Sequence, residues 1–232
     1  MKMTNNIKVI GLGGIGSIFI DKLSRYVSFG ETSKTKFNIT LVDGDHYENK
    51  NYERQEFIYL KNKAFSKMED LNGKFNQDTI SLAIDKYVNE SNINTIINDG
   101  DTVFLCVDNH ASRKLVSDYV KTLNNCILIS GGNDYIDGNV QVYIRDDGKD
   151  ITPSLTEYHS EIDNPTDEHP EDMSCEELSN SAPQLYFSNL TVATIMCWVL
   201  YSLQQGKFDV KKPEIYFDIE LMSIVPKIRT VN

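Results

Sequence analysis

The stretch Val9-Ile10-Gly11-Leu12-Gly13-Gly14-Ile15-Gly16-Ser17 limits the fold of this chain more than any other. A short β-branched run, Ile7 to Ile10, stops at glycine, as a buried strand does. Ile15, Ile18, Phe19 and Leu23 then recur at helical spacing. Gly11-x-Gly13-x-x-Gly16 therefore joins a strand to a helix. The first glycine permits the tight turn, the second lets a phosphate approach the backbone, and the third lets the helix pack on the strand. The helix N-terminus adds unpaired N–H groups and the positive end of a dipole. Phe37 to Val42 reads as a second strand ending at Asp43, where a carboxylate can bond ribose hydroxyls. The unit is βαβ and suits an adenosine phosphate.

The rest of the chain continues the α/β alternation. Ala64 to Phe75 and Ala111 to Leu123 read as helices. Thr79 to Ile84, Thr102 to Val107, Cys126 to Ser130 and Val140 to Ile144 read as strands. Pro183 to Leu203 reads as one long apolar helix, and Ile215 to Ile219 with Met222 to Val225 as a closing hairpin. The expected fold is Rossmann-like α/β: a doubly wound, mostly parallel sheet with helices on both faces and a C-terminal antiparallel extension. With 232 residues, residues 1–232 make one domain. Residues 151–181 hold Pro153, Pro165 and Pro170 without periodicity, and read as a solvated, mobile, acidic crossover loop within it.

Charge narrows the partners. The net charge is −11, a poor match for nucleic acid. No Lys or Arg occurs between Lys149 and Lys207, while nine acids from Glu157 to Glu177 do. That gap is a solvated surface, or a dock for a basic partner. The four cysteines contain no CxxC pair, which argues against a zinc ribbon. Cys106, Cys126 and Cys197 fall in expected core elements. The start has no signal-peptide pattern, and Leu190 to Leu203 is too short for a bilayer span, so the expected setting is a reducing cytoplasm without a membrane partner.

The residues beyond the second strand decide which nucleotide is expected. Asp43-Gly44-Asp45 is followed by Asn51, then Arg54-Gln55, then Lys67, and later by Asp108-Asn109 with Arg113. Hydride transfer with a dinucleotide needs no extra cations. An Arg and a Lys imply a third phosphate or charge growing on phosphorus, and a carboxylate at a strand tip suits Mg²⁺.

In this order the motifs resemble the ThiF/MoeB family, which includes the ubiquitin-activating enzymes; small mobile-element ThiF-like proteins of the PRTRC type carry a similar Ser174-Cys175 element. The matching residues are the Gly11 to Ser17 turn, Asp43-Gly44-Asp45, Asn51-Tyr52-Glu53-Arg54-Gln55, Lys67, and Asp108-Asn109 through Arg113. They cover about the first 145 residues of the chain. The resemblance implies Mg²⁺- and ATP-dependent adenylation of the C-terminal carboxylate of a small ubiquitin-like or sulfur-carrier protein. It implies nucleotide contacts from Gly11, Gly13, Gly14, Gly16, Asp43, Asn51, Gln55 and Asn109. Arg54 and Lys67 would neutralise the triphosphate and Asp108 would hold the metal, while Cys175 would either take the activated carrier as a thioester or be an incidental loop cysteine. It also implies a homodimer through the long apolar helix. Arg113 reads as a structural tie and His110 as a surface helix histidine. Two family features are not matched, an N-terminal helix carrying an Arg and the zinc-binding cysteine pairs. Adenylation of a peptide or small carboxylate, a scaffold subunit without catalysis, and a nicotinamide-dependent oxidoreductase stand as alternatives.

Overall fold

The computed structural model describes residues 3–29, 36–75, 79–171 and 184–231. Strand β1 (Asn6–Ile10) runs into helix α1 (Gly14–Phe29), then β2 (Asn38–Val42). A 3-10 turn (Asn49–Glu53) leads to α2 (Lys63–Phe75) and β3 (Leu82–Ile84). Next come α3 (Ile93–Ile96), β4 (Thr102–Leu105) and α4 (His110–Val120). The chain continues through β5 (Cys126–Asn133), β6 (Asp137–Asp146), β7 (Lys149–Asp150) and α5 (Ser160–Asp163). It ends with α6 (Tyr186–Gln204), β8 (Glu214–Asp218) and β9 (Ser223–Lys227).

One nine-stranded sheet runs β3-β2-β1-β4-β5-β6-β8-β9, with β7 beside β6. The first five strands in that order are parallel, and the pairs from β5–β6 onward are antiparallel. This is the expected doubly wound sheet with its antiparallel extension. Alternation along the strands sorts the core. Ile7, Val9, Ile39, Leu41, Phe104, Ile127 and Ile129 pack with α1, α2 and α6 on one face. Ile10, Val42, Val103, Leu105 and Leu128 pack with α3 and α4 on the other. Cys106 and Cys126 are buried and Cys197 is half-buried, as expected. Burial pushes the Cys106 thiol up to about 12.

Three departures from the sequence reading have local causes. The third strand is cut to Leu82–Ile84 because the Asn72 side chain takes both backbone groups of Ile80, donating to its oxygen and accepting from its N–H. The acidic segment is not simply solvated: Thr152, Ser154, Leu155, Thr156 and Ile162 are buried. The Thr152 hydroxyl accepts from Ile144 N and donates to Val142 O, so that segment is tied to β6. Residues 172–183, and with them Cys175, lie outside the described residues. The apolar helix spans 19 residues, so length and composition alone would let it cross a membrane. Instead it contributes Val192, Ile195, Met196 and Val199 to the core, packing beside α1.

Gly11 and Gly16 carry the first turn. Gly11 has φ +86°, and a Cβ there would press on the carbonyl of Cys106, just past the end of β4. A Cβ on Gly16 would land on the Gly11 carbonyl oxygen, which is backbone and cannot swing away. Gly16→Ala is expected to cost about 3 kcal/mol, lowering Tm by roughly 10 °C in thermal melts. An unchanged Tm would contradict the packing described.

Candidate active site

The ends of the parallel strands open into a cavity of about 1080 Å³ over the β1–β4 junction, where the strand order reverses. Gly11, Gly13 and Gly14 form its edge at the start of α1. Beside them, Asp43 is 7% exposed. Its Oδ2 accepts from Leu12 N at 2.6 Å and its Oδ1 from Asp45 N at 2.9 Å. Burial raises the Asp43 pKa, against the pull of the Lys63 ammonium and these two N–H bonds. Two oxygens offer about four acceptor positions, so lone pairs remain for ligand hydroxyls.

Asn51 acts by building a turn. Its Oδ1 accepts from Glu48 N at 2.9 Å, and its backbone oxygen accepts from Arg54 N and Gln55 N. Asn51 is buried, and the turn brings Arg54 and Gln55 to the cavity wall. Gln55 is 7% exposed and its Oε1 has no partner. Such an orphaned acceptor beside a cavity fits a ligand that donates to it.

Two of the lysines of α2, Lys63 and Lys67, occupy different places. Lys67 does not line this cavity. It is 1% exposed, its Nζ lies 3.0 Å from Asp21 Oδ2 of α1, and it borders a smaller cavity with Glu56 and Tyr59. Lys63, at the start of α2, lines the main cavity. Its Nζ donates to Asp45 Oδ2 at 2.6 Å. Burial alone would lower the Lys63 pKa, but the charges of Asp43, Asp45 and Asp108 outweigh it and hold the ammonium. The reason is helix geometry. Residues i and i+4 share a face but stand a full turn apart, about 6 Å along the axis. Only the first turn of α2 reaches the strand ends. The usable signal was Asn62, whose Oδ1 accepts from Ala64 N and Phe65 N and marks the helix start.

Asp108 is exposed at the tip of β4 and lines the cavity. It does not cap α4: Asn109 does, accepting from Ser112 N at 2.7 Å. The Asp167 carboxylate takes the next two N–H groups, from His110 at 2.6 Å and Ala111 at 3.0 Å. Asp108 is therefore left for a ligand. Among the described residues no group of His, Cys, Asp and Glu forms a metal cage. One carboxylate still fits Mg²⁺, which takes few protein ligands and completes its shell with phosphates and water. Arg113 is structural, as expected. It is 6% exposed and donates to Val107 O, Gly131 O and Ser130 Oγ at 2.6, 2.8 and 2.7 Å, tying β4 to β5. His110 is half-buried on the cavity wall rather than on an open surface.

The far end of the cavity was not anticipated. There the sheet itself is the floor, formed by Asn139 and Gln141 of β6, Tyr216 of β8 and Lys227 of β9. Glu214 of β8 is 4% exposed and accepts from His159 Nε2 and from Arg229 Nε, the latter at 2.6 Å. His159 Nδ1 lies 2.7 Å from Glu161. Burial alone would lower the His159 pKa, but its bonds to Glu214 and Glu161 raise it. Burial alone would raise Glu214, but the same bonds with Arg229 lower it.

Two predictions follow from this geometry. Lys63→Met should weaken ATP binding roughly tenfold in calorimetry, the loss of one charge-assisted contact. Lys67→Met should leave ATP affinity intact and cost about 3 kcal/mol of stability, because Asp21 loses its buried partner. The reverse pattern would restore Lys67 to the site. The second concerns pH. A raised His pKa stabilises fully below its unfolded value of about 6.5, and that share is lost as pH rises through the folded value. The lowered Glu214 adds a share that is lost only as pH falls below about 4.5. Hydrogen exchange in residues 157–163, corrected for intrinsic rate, should therefore quicken from pH 6 to pH 9, and His159→Gln should remove that dependence. Equal pH dependence in both proteins would contradict it.

No curated protein matches the chain in sequence. Several solved structures share its fold. E. coli MccB, solved with a succinimide, is 19% identical with a TM-score of 0.70, covering 96% of this chain and 63% of its own. E. coli MccB with ATP is 17% identical with a TM-score of 0.70, covering 96% and 62%. PaaA is 15% identical with a TM-score of 0.68, covering 96% and 63%. This chain thus spans under two thirds of the length of these proteins. The ThiF family model matches residues 3–223, and the chain belongs to the ThiF family.

Proposed function

We propose that the protein is an ATP-dependent adenylyltransferase that activates the C-terminal carboxylate of a small protein or peptide. The observation that carries this reading is the continuity of one cavity. It joins the glycine turn, Asp43 and Lys63 at one end, Arg54 and Asp108 along the same cavity, and an open sheet floor at the other. That set matches a nucleotide with its phosphates and an acyl substrate beside it. A dinucleotide would leave the cations and the floor without a task. E. coli MccB solved with ATP, and solved with AMPCPP and MccA together, supports the pairing of a nucleotide with a second molecule.

The chemistry balances simply. A carboxylate oxygen attacks the α-phosphorus, the bond to the bridging oxygen breaks, and pyrophosphate leaves. Asp43 orients the ribose. Lys63 and Arg54 offset charge on the phosphates. Mg²⁺, when bound, would shield the leaving pyrophosphate, with Asp108 as its protein ligand. The substrate is a ubiquitin-like or sulfur-carrier protein, or a free peptide with the same kind of terminus. Transfer to Cys175 would be a later thioester step. A homodimer would cover Phe187, Trp198 and Tyr201, which stand exposed on one stripe of α6.

ATP–pyrophosphate exchange tests the reading. Exchange should depend on an added carboxyl-terminal peptide or carrier, and Asp108→Ala should reduce it roughly 100-fold. Exchange that ignores both additions, or its absence with every acyl substrate despite ATP binding, would contradict adenylation.

A further inference from the structure

The antiparallel half of the sheet carries a feature that nucleotide binding does not use. On β6, Val140 and Val142 enter the core, so Asn139 and Gln141 face the cavity floor. The register sets Gln141 between Ser130 of β5 and Glu214 of β8. Gln141 Nε2 donates to Glu214 Oε1 at 3.3 Å. Glu214 also accepts from His159, Arg229 and Tyr216, and those bonds keep it ionised and able only to accept. The amide of Gln141 must therefore turn its NH₂ toward Glu214 and its oxygen away.

That oxygen has no partner. Gln141 is 6% exposed, lines the cavity, and its Oε1 is buried without a hydrogen bond. Leaving an acceptor so costs stability, and native proteins rarely do it without a donor to come. The donor is not the nucleotide. Asp43 sits on β2, and Gln141 on β6 is four strands away in the order β2-β1-β4-β5-β6, roughly 19 Å at the usual strand spacing. The glycine turn that follows β1, where the phosphates would sit, is still three strands from Gln141.

We infer that Gln141 is a specificity-determining residue whose Oε1 accepts a hydrogen bond from a backbone N–H of an extended peptide substrate. This rests on the adenylation reading. An extended chain advances about 3.3 Å per residue, so the N–H belongs to about the last three or four residues before the activated carboxylate. Substrates with proline or an N-methylated amide at that one position bind more weakly. The network around Glu214 holds the amide in its donor-seeking orientation.

The test uses synthetic heptapeptides with free C-termini, screened for ATP–pyrophosphate exchange. The best peptide is then N-methylated at one backbone amide at a time. In the wild type, one of the C-terminal positions should raise KM roughly tenfold with kcat little changed. Gln141→Met should raise the KM of the unmodified peptide by a similar factor, and the penalty for N-methylation at that position should vanish. ATP affinity should be unchanged in the variant. Equal N-methyl penalties in wild type and variant overturn the assignment of Gln141 alone. So does a wild-type scan without any sensitive position, which needs no variant to fold. If no peptide drives exchange, the adenylation of peptides fails, and this inference falls with it.

Discussion

The hydrogen bonds of one buried carboxylate hold the site together. Asp43 accepts Leu12 N and Asp45 N, so the glycine turn, the end of β2 and the start of the following loop share one anchor. The backbone completes the joint through Gly11 N to Val42 O and Cys106 N to Ile10 O. Gly11 and Gly16 make it sterically possible, since side chains there would meet the backbone of Cys106, just past β4, and of the turn itself. With that joint set, the N-terminus of α1 faces the cavity, and an anion placed there meets unpaired N–H groups and the dipole together.

The change in strand direction explains the other half of the cavity. Parallel strands need crossover helices, and these cover both faces of β1, β2, β4 and β5. Beyond β5 the strands are antiparallel, and among the described residues no long helix covers the cavity face of β6, β8 and β9. Polar side chains occupy it: Asn139, Gln141, Glu214 and Tyr216. The segment through His159 to Asp167 borders this floor, bound to Glu214 at one end and to the N-terminus of α4 at the other. A nucleotide site and a site for an extended acyl substrate thus arise from one sheet.

Much of this could be read from the sequence because it is local. The turn from Gly11 to Gly16, the acid ending β2 and the Asp108-Asn109 pair have fixed positions relative to strand ends, so their chemistry follows from spacing. Arg113 could also be read as a tie. What could not be read depends on loop length or tertiary contact. The family pattern points to Lys67, yet the loop places Lys63 in the first turn of α2 and Lys67 against Asp21. Residues 151–171 looked featureless because Leu155 and Ile162 are single anchors in a polar stretch, with no period to detect. Gln141 looked like any strand residue. Its meaning comes from Glu214, 73 positions away, and from the antiparallel register that pairs them.

The central claim is that a substrate carboxylate meets the α-phosphorus between the cations and the floor. It is tested most directly by following oxygen. A peptide or carrier with ¹⁸O in its C-terminal carboxylate is incubated with the protein, MgATP and an acceptor amine. The phosphate products are then read by mass spectrometry. Attack on the α-phosphorus predicts one ¹⁸O in AMP and none in pyrophosphate. Label in inorganic phosphate, or acyl transfer that leaves AMP unlabelled, would contradict the account.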